Sequence, residues 1–247
     1  MKTVRSKDGT SIAYEQSGSG FPVILVDGAL CSRAFGPMPK LAELLSPHFA
    51  VINYDRRGRN ESGDTQPYAP EREIEDIEAL INEVGGSAFV AGVSSGAALA
   101  LAAGASGLNI KKLALYEAPF MVDKSGHQPP PDSGAQLKAM IASNRRGDAV
   151  KFFMKDMVGI PAFIVFIMGI MPIFSKLKAV AHTLPYDATI MGDFSLPVKR
   201  AASVKVPTLV GGGEKSPVSM QNAVKQLAGA IPNSELKMFK VKLIIFR

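Results

Sequence analysis

Residues 88–101 constrain the fold more than any other part of the sequence. The apolar run 88–93 predicts a short buried strand, and the alanine-rich run 95–103 predicts a helix that is apolar on most of its faces. Between them lies Gly92-Val93-Ser94-Ser95-Gly96, which places one serine on a tight strand-to-helix turn. Such a turn strains the serine backbone, requires small neighbours two residues away, and exposes the hydroxyl at the end of the sheet.

This pentapeptide matches the pattern G-x-S-x-G, the nucleophile elbow. The amides at the start of the following helix, and the positive end of its dipole, would face any oxyanion that forms at the serine. The predicted strand before the motif and the small-residue helix after it make the interpretation more specific than the five letters alone. Ser94 is therefore the predicted nucleophile.

Composition predicts one globular α/β domain with room for an inserted subdomain, because the chain has 247 residues and 47% of them are apolar. The polar start, residues 1–8, does not lead into the apolar region of a signal peptide. The single cysteine, Cys31, excludes an internal disulfide framework and is typical of a reducing cytoplasm. No Cys/His cluster has the spacing of metal ligands. We therefore expect a cytoplasmic protein without a metal.

Charge gives no indication of a nucleic-acid partner. The chain has 28 basic and 22 acidic residues, a net charge of +6, and its basic residues are scattered apart from Arg56-Arg57-Gly58-Arg59. No DNA- or RNA-binding motif accompanies that run. We expect these arginines to lie on a solvated surface.

Buried strands alternate with helices over most of the chain, which predicts a mostly parallel, doubly wound sheet. The turn at residues 7–10 predicts a hairpin between the first two strands. The predicted strands cover residues 3–5, 11–14, 22–26, 49–54, 88–93, 110–116, 206–210 and 234–240. The predicted helices that alternate with them cover residues 37–45, 70–84, 95–103 and 218–230.

The alternation stops between residues 121 and 196. Residues 157–174 form an 18-residue stretch without a charge, which is long enough to be considered as a membrane span. Pro161 and Pro172 would break such a span, so we interpret the region as a kinked, apolar, helical cap over the active site. Contact of this region with a membrane surface remains an alternative. The predicted organisation is an N-terminal core part (1–120), the cap insertion (121–196) and a C-terminal core part (197–247).

Four segments together resemble the α/β-hydrolase family over nearly the whole chain. They are the turn 27–30, the sequence 54–59 with Ser62, the elbow at Ser94, and the late strand 206–210. The resemblance implies the α/β-hydrolase fold, no metal or organic cofactor, and a Ser–acid–His triad in that chain order.

The resemblance also implies an oxyanion hole built from two backbone amides. These are the amide of Ser95, directly after the nucleophile, and the amide of Ala29, in the turn after the third strand. Asp27 stands where many members of the family have a histidine. The donors are backbone groups, so this difference need not abolish the hole, although a nearby carboxylate could weaken it.

Two carboxylates are candidates for the acid. Many members place the acid after the strand that corresponds to 206–210, where this chain has Glu214 and then Ser216 at the usual acid position. Other members place it after the preceding core strand, where this chain has Glu117. Motif position favours Glu117, and both residues are kept as candidates.

The histidine is where the chain departs from the family pattern. The family places it just beyond the last strand, but residues 241–247 contain none, which is the pattern expected of a truncated or replaced C-terminus. His48 precedes its strand, at the wrong end of a parallel sheet, and His127 and His182 fall in the predicted cap. The apolar tail could also extend the last strand into an exposed edge, so we expect a homo-oligomer formed through that strand.

The sequence thus predicts a serine hydrolase that cleaves small apolar esters through an acyl-Ser94 intermediate, with activity weakened by the missing histidine. A small-molecule ester is the expected partner. The resemblance also extends to cofactor-free perhydrolases and C–C hydrolases. The alternative is a catalytically inactive hydrolase fold that binds an apolar ligand.

Overall fold

The computed structural model describes residues 1–240, so the predicted extension of the last strand over 241–247 lies outside the described residues. The described part contains one eight-stranded sheet. Its strands are β1 (Lys2–Arg5), β2 (Ser11–Ser17), β3 (Pro22–Val26), β4 (Ala50–Tyr54), β5 (Ala88–Val93), β6 (Ile110–Tyr116), β7 (Thr208–Gly213) and β8 (Ser234–Phe239).

Ten α-helices surround or extend this sheet within residues 1–240. They are α1 (Met38–Leu45), α2 (Pro70–Glu83), α3 (Ser95–Ala105), α4 (Ser133–Ala142), α5 (Arg146–Phe152), α6 (Ala162–Ile170), α7 (Ile173–Val180), α8 (Leu184–Met191), α9 (Val198–Ser203) and α10 (Val218–Ala230). A π-helical turn (Phe153–Met157) continues α5, and a 3₁₀ turn (Ala181–Thr183) precedes α8.

The strand order is β1-β2-β4-β3-β5-β6-β7-β8, and the sheet is mostly parallel as predicted. β1 and β2 form the predicted hairpin, β2 pairs antiparallel with β4, and the strands from β4 to β8 run parallel. Parallel strands covered on both faces must be apolar throughout, which is why every residue of β4 is buried. The prediction of an α/β-hydrolase sheet is confirmed.

The core is built around β5 and α3. Residues 97–101 of α3 are almost completely buried, and they belong to the same apolar cluster as Ile24 and Val90 of the neighbouring strands. Small side chains allow this close approach, because a Cβ at Gly104 would lie only 3.0 Å from Leu113 of β6. The alanine-rich composition of α3 is therefore a packing requirement of the sheet surface.

Most predicted boundaries agree with the structure, and β7 is the main displacement. The strand begins at Thr208, two residues later than predicted, because Pro207 has no N–H to donate to a sheet ladder. It continues through Gly211 and Gly212, where side chains would crowd Phe239 and Val224 at 3.0 Å. These two glycines let β8 and α10 pack closely on the strand.

The helical segment between β6 and β7, defined as residues 133–191 (α4 to α8), has its own apolar cluster, which includes Leu137, Met154, Leu177 and Leu184. The chain breaks between α6 and α7 at Met171-Pro172, as the prolines predicted. No single helix within residues 1–240 has the length and apolar character needed to cross a membrane. The helical stretches 162–170 and 173–191 reach this length and apolar character only when they are taken together, and the chain bends by 99° between them.

The prediction that Arg56, Arg57 and Arg59 lie on a solvated surface is wrong. Each residue is only 1% exposed. Arg57 binds Asp8 and Asp76, with nitrogen–oxygen distances of 2.5 and 2.8 Å. The carboxylates that allow these guanidinium groups to be buried come from distant parts of the chain, so no local pattern indicates them.

β8 is an edge strand of the described sheet, so we retain the prediction of self-association through it. Leu236 on this strand is 42% exposed, and a charge there should oppose pairing with a second copy. Static light scattering at high concentration should give an average mass above that of a monomer, and Leu236→Lys should lower it. Leu44→Lys, a control on exposed α1, should not. A strictly monomeric wild type would contradict the prediction.

Candidate active site

Ser94 occupies a strained turn between β5 and α3. Its backbone has φ +55° and ψ −130°, a conformation that is unusual for a residue with a side chain. The two flanking glycines are sterically required. A Cβ at Gly92 would lie 2.4 Å from the Gly96 carbonyl oxygen, and a Cβ at Gly96 would lie 2.3 Å from the carbonyl oxygen of Val26. These are the features that the sequence motif predicted.

The turn after β3 lies directly beside this serine. A Cβ at Gly28 would be 3.1 Å from the Ser94 Cβ, so the glycine lets the turn approach the hydroxyl. Ala29 and Ser95 line the same cavity as Ser94. Among the hydrogen bonds within residues 1–240, none is donated by the amide of Ala29 or of Ser95. Both predicted oxyanion-hole amides therefore remain available to a ligand.

The cavity at Ser94 has a volume of about 400 Å³ and lies at the carboxyl ends of the parallel strands. The helical segment supplies part of its wall, and the side chains from that segment are mainly apolar. They include Phe153, Met157, Val158 and Met191. Among residues 1–240, no group of three or more His, Cys, Asp and Glu side chains is arranged to hold a metal ion.

Glu117, one of the two candidate acids, lines this cavity. It follows β6 with a φ of +49° and is 2% exposed. Its Oε1 accepts hydrogen bonds from the Gly213 amide at 2.9 Å and from the Ser216 hydroxyl at 2.5 Å. Oε2 has no hydrogen-bond partner within residues 1–240, so one carboxylate oxygen is anchored and the other is available.

Glu214, the other candidate, lies elsewhere. It is exposed, it does not line the cavity, and its amide donates to the Phe239 carbonyl at 2.8 Å. The structure thus brings Glu117 together with Ser94 and leaves Glu214 on the surface. Ser216, at the usual acid position, acts here as a hydrogen-bond donor to Glu117.

The three histidines lie in different environments. His48 is exposed just before β4, at the amino end of that strand. His127 lines the Ser94 cavity, and its Nε2 is 2.7 Å from the Asp156 carbonyl oxygen. His182 does not line the cavity, and its buried Nδ1 has no hydrogen-bond partner within residues 1–240. Burial, followed by the charge of Arg146, lowers the pKa of His182.

Sequence reasoning missed Asp187, which lies on α8 and lines the cavity. Its Oδ1 accepts hydrogen bonds from Arg56 at 2.7 Å and from the Ser95 hydroxyl at 2.8 Å, and its Oδ2 accepts one from Arg59 at 2.8 Å. Burial would raise the pKa of Asp187, but the two guanidinium charges outweigh it and lower the pKa. A single acidic residue inside the apolar sequence 184–191 was the available signal.

The two arginines connect Asp187 to the turn beside Ser94. Arg59 donates to the carbonyl oxygens of Gly28 at 2.5 Å and Cys31 at 3.0 Å, and Arg56 donates to that of Asp27 at 3.2 Å. Asp187 therefore links three elements: the helical segment, the start of α3, and the turn that carries Ala29.

Asp27 is buried in this turn, with 1% of its surface exposed. Burial raises its pKa to about 7, although the Gly28 amide and the charge of Arg59 act in the opposite direction. At neutral pH and below, a substantial fraction of Asp27 is therefore uncharged. Protonation reduces the repulsion that a carboxylate would exert on an oxyanion near Ala29.

Comparison with known proteins identifies the family. The sequence model of the alpha/beta hydrolase family matches residues 18–240. The crystal structure of an alpha/beta hydrolase from Sphaerobacter thermophilus has a TM-score of 0.92 and 52% sequence identity, and the alignment covers 97% of this chain and 93% of that one. The chain therefore belongs to the alpha/beta hydrolase family, and the predicted enzyme class, a hydrolase, is confirmed. No curated protein sequence gives a significant match.

More distant solved structures share the fold. A hydrolase from Pseudomonas aeruginosa has a TM-score of 0.72 at 21% identity, with 98% of this chain and 91% of that chain covered. An esterase from Thermogutta terrifontis has a TM-score of 0.65 at 22% identity, with 96% and 89% covered. At these identities the similarity supports the architecture.

Gly96→Ala should destabilise the protein, because the new Cβ would lie 2.3 Å from a backbone oxygen that cannot move away. We expect the free energy of unfolding to fall by at least about 2 kcal/mol. Gly229→Ala is the matched control: the position is also helical, no atom of residues 1–240 lies within 4 Å of the added Cβ, and the variant should be neutral or slightly stabilising. Urea denaturation checks both variants, and equal stabilities would contradict the packing argument.

Asp27→Asn should change how stability depends on pH. The folded-state pKa of about 7 exceeds the ordinary value of 3.8, so between these values the folded protein holds a proton that the unfolded chain releases. In the wild type this contribution to stability decreases as pH rises toward 7, by about 1.4 kcal/mol per pH unit. The asparagine side chain does not titrate. Urea denaturation from pH 5 to pH 7 should therefore show the variant gaining stability relative to the wild type, and a constant difference would contradict the raised pKa.

Proposed function

We propose that this hydrolase cleaves esters of small apolar carboxylic acids through an acyl-Ser94 intermediate. The observation that supports this proposal best is one cavity lined jointly by Ser94, Ala29, Ser95 and Glu117. A positive φ that exposes the serine hydroxyl, and two amides that have no acceptor within residues 1–240, suit attack on a carbonyl carbon. The apolar wall and the volume of about 400 Å³ suit a short apolar acyl group.

In the proposed reaction, Ser94 Oγ attacks the ester carbonyl carbon while a base removes its proton. The negative charge then forms on the carbonyl oxygen, where the amides of Ala29 and Ser95 stabilise it. The C–O bond breaks, the leaving alcohol takes the proton, and water hydrolyses the acyl-serine by the same steps. We assign no step to a metal or organic cofactor.

We assign the base to His127, because it is the histidine within residues 1–240 that lines the cavity. If its Nε2–H donates to the Asp156 carbonyl at 2.7 Å, its Nδ1 is the acceptor that can take the serine proton. Glu117 Oε2, which has no partner among the described residues, would stabilise the imidazolium that forms. His182 is the second candidate, although it lies outside the cavity lining.

A specific observation favours the alternative, an inactive hydrolase fold that binds an apolar ligand. No hydrogen bond within residues 1–240 links a histidine with Ser94 or Glu117. Without such a base the serine hydroxyl is a weak nucleophile.

In either case we propose a small apolar molecule as the partner and the cytoplasm as the location, consistent with the one free, buried cysteine.

Hydrolysis of p-nitrophenyl butyrate by the wild type and by Ser94→Ala tests the nucleophile. We expect Ser94→Ala to lower kcat/KM by at least about a thousandfold, because the acyl-enzyme cannot form. Equal rates for the two proteins would exclude acyl-Ser94 chemistry. In that case, unchanged binding of an apolar fluorescent dye by both proteins would support the ligand-binding alternative.

The same assay, applied to pairs of matched variants, tests the roles assigned to the acid and to the base. Glu117→Gln should reduce turnover and Glu214→Gln should not, because only Glu117 lines the cavity. His127→Ala should lower kcat by about a hundredfold, while His48→Ala, at an exposed remote site, should leave it unchanged. Loss of activity in His182→Ala, with His127→Ala fully active, would transfer the role of the base to His182.

A further inference from the structure

Helix α6 exposes an apolar surface that the described chain does not cover. Phe163, Phe166 and Ile170 are 66%, 70% and 74% exposed, and Val165 is the only residue of this helix that is buried. We define the apolar ridge as Phe163, Ile164, Phe166, Ile167, Ile170 and Met171, all of them exposed. A contiguous group of six exposed apolar side chains is typical of a surface that binds a protein, a membrane or a ligand.

Basic side chains lie on α5 and α7, the helices that pack against α6. Lys151 packs against α6, since its Cε lies 3.6 Å from the position of a Cβ at Gly169. Lys151 and Lys178 also lie over the Phe174 ring, at 6.0 and 5.9 Å from its centroid. Lys176 is exposed on the same short helix as Lys178.

The acidic residues in this region are already paired. Asp148 binds Arg145 at 2.8 Å, and Asp156 contacts Lys155 at 3.4 Å. By contrast, none of the ion pairs within residues 1–240 includes Lys151, Lys176 or Lys178. The helices packed against α6 therefore give the ridge a positive border that no ion pair within residues 1–240 compensates.

The positive charge beside the ridge favours one class of binding partner over another. A second copy of the chain placed ridge to ridge would bring two uncompensated positive borders together, which is unfavourable. A surface with apolar material beneath negative charges would satisfy both the ridge and its border, and an anionic lipid bilayer has this arrangement. With nine residues, α6 extends only about 14 Å, which is too short to cross a bilayer core of about 30 Å.

We propose that α6 docks on the surface of an anionic lipid bilayer and lies in the plane of the interface. Phe163 and Phe166 enter the boundary between headgroups and acyl chains, and Lys151, Lys176 and Lys178 contact the phosphate groups. The helix is attached to the rest of the segment through Val165 and α7, so docking does not require the fold to open.

The docking surface adjoins the Ser94 cavity. Val158 and Gly159, which lie shortly before α6, line that cavity, and Val158 is 40% exposed. Docking would therefore bring the cavity wall close to the bilayer, from which a lipophilic ester could enter. This extension to the substrate source rests on the proposed function, whereas the docking itself does not.

Vesicle sedimentation tests the proposal without reference to activity. The full chain is mixed with vesicles of phosphatidylcholine alone and with vesicles that also contain phosphatidylglycerol. We expect binding only to the anionic vesicles, with loss of binding at high salt. Phe163→Ser/Phe166→Ser should weaken the binding by at least about tenfold, and Lys151→Gln/Lys178→Gln should weaken it as well.

Matched controls exclude general effects of surface substitution. Leu44→Ser removes an apolar side chain that is 60% exposed on α1, and Lys205→Gln/Lys225→Gln removes two exposed charges elsewhere; both should bind anionic vesicles like the wild type. Thermal denaturation verifies that each variant is folded. Failure of the wild type to bind anionic vesicles would overturn the proposal. If light scattering shows an oligomer, and Phe163→Ser/Phe166→Ser dissociates it, the ridge is instead a contact with a second copy of the chain.

Discussion

The arrangement around Ser94 depends on one buried carboxylate. Asp187 accepts hydrogen bonds from Arg56, Arg59 and Ser95, and the arginines in turn hold the carbonyl oxygens of the turn 27–31. Guanidinium groups that are 1% exposed are tolerated only where their charge and donors are matched, so neither arginine could remain buried without its carboxylates. Because Asp187 belongs to α8, the position of the helical segment and the geometry of the two candidate amides depend on the same interaction.

The arrangement around Ser94 also depends on a steric constraint. The positive φ of Ser94 persists because Gly92 and Gly96 let the strand, the helix and the end of β3 approach to distances that no side chain permits. Rigid packing of α3 in the core then keeps the serine in this conformation. Glu117 also has a positive φ, directly after the neighbouring strand β6. Its anchored Oε1 fixes the direction of Oε2, which has no partner within residues 1–240.

The helical segment has two apolar sides with different consequences. One side forms an internal cluster and part of the wall of the cavity, which stabilises the fold and contributes apolar surface to the binding volume. The other side, on α6, is exposed and bordered by lysines. An uncharged stretch such as 157–174 is therefore partly core and partly surface, and the break at Pro172 separates α6 from α7 within it.

The sequence by itself determined the parallel sheet, most element boundaries and the elbow at Ser94, because strand and turn patterns are local and appear within a few residues of each other. The candidate status of Glu117 came from the resemblance to the α/β-hydrolase family. It did not reveal that Arg56, Arg57 and Arg59 are buried, or that Asp187 binds Ser95. Asp187 is 128 residues from Arg59 in the chain, and no local pattern reports a partner at that separation. Only tertiary packing decided which of Glu117 and Glu214 shares the cavity, since both follow strands in sequence and the choice depends on where each turn directs its side chain.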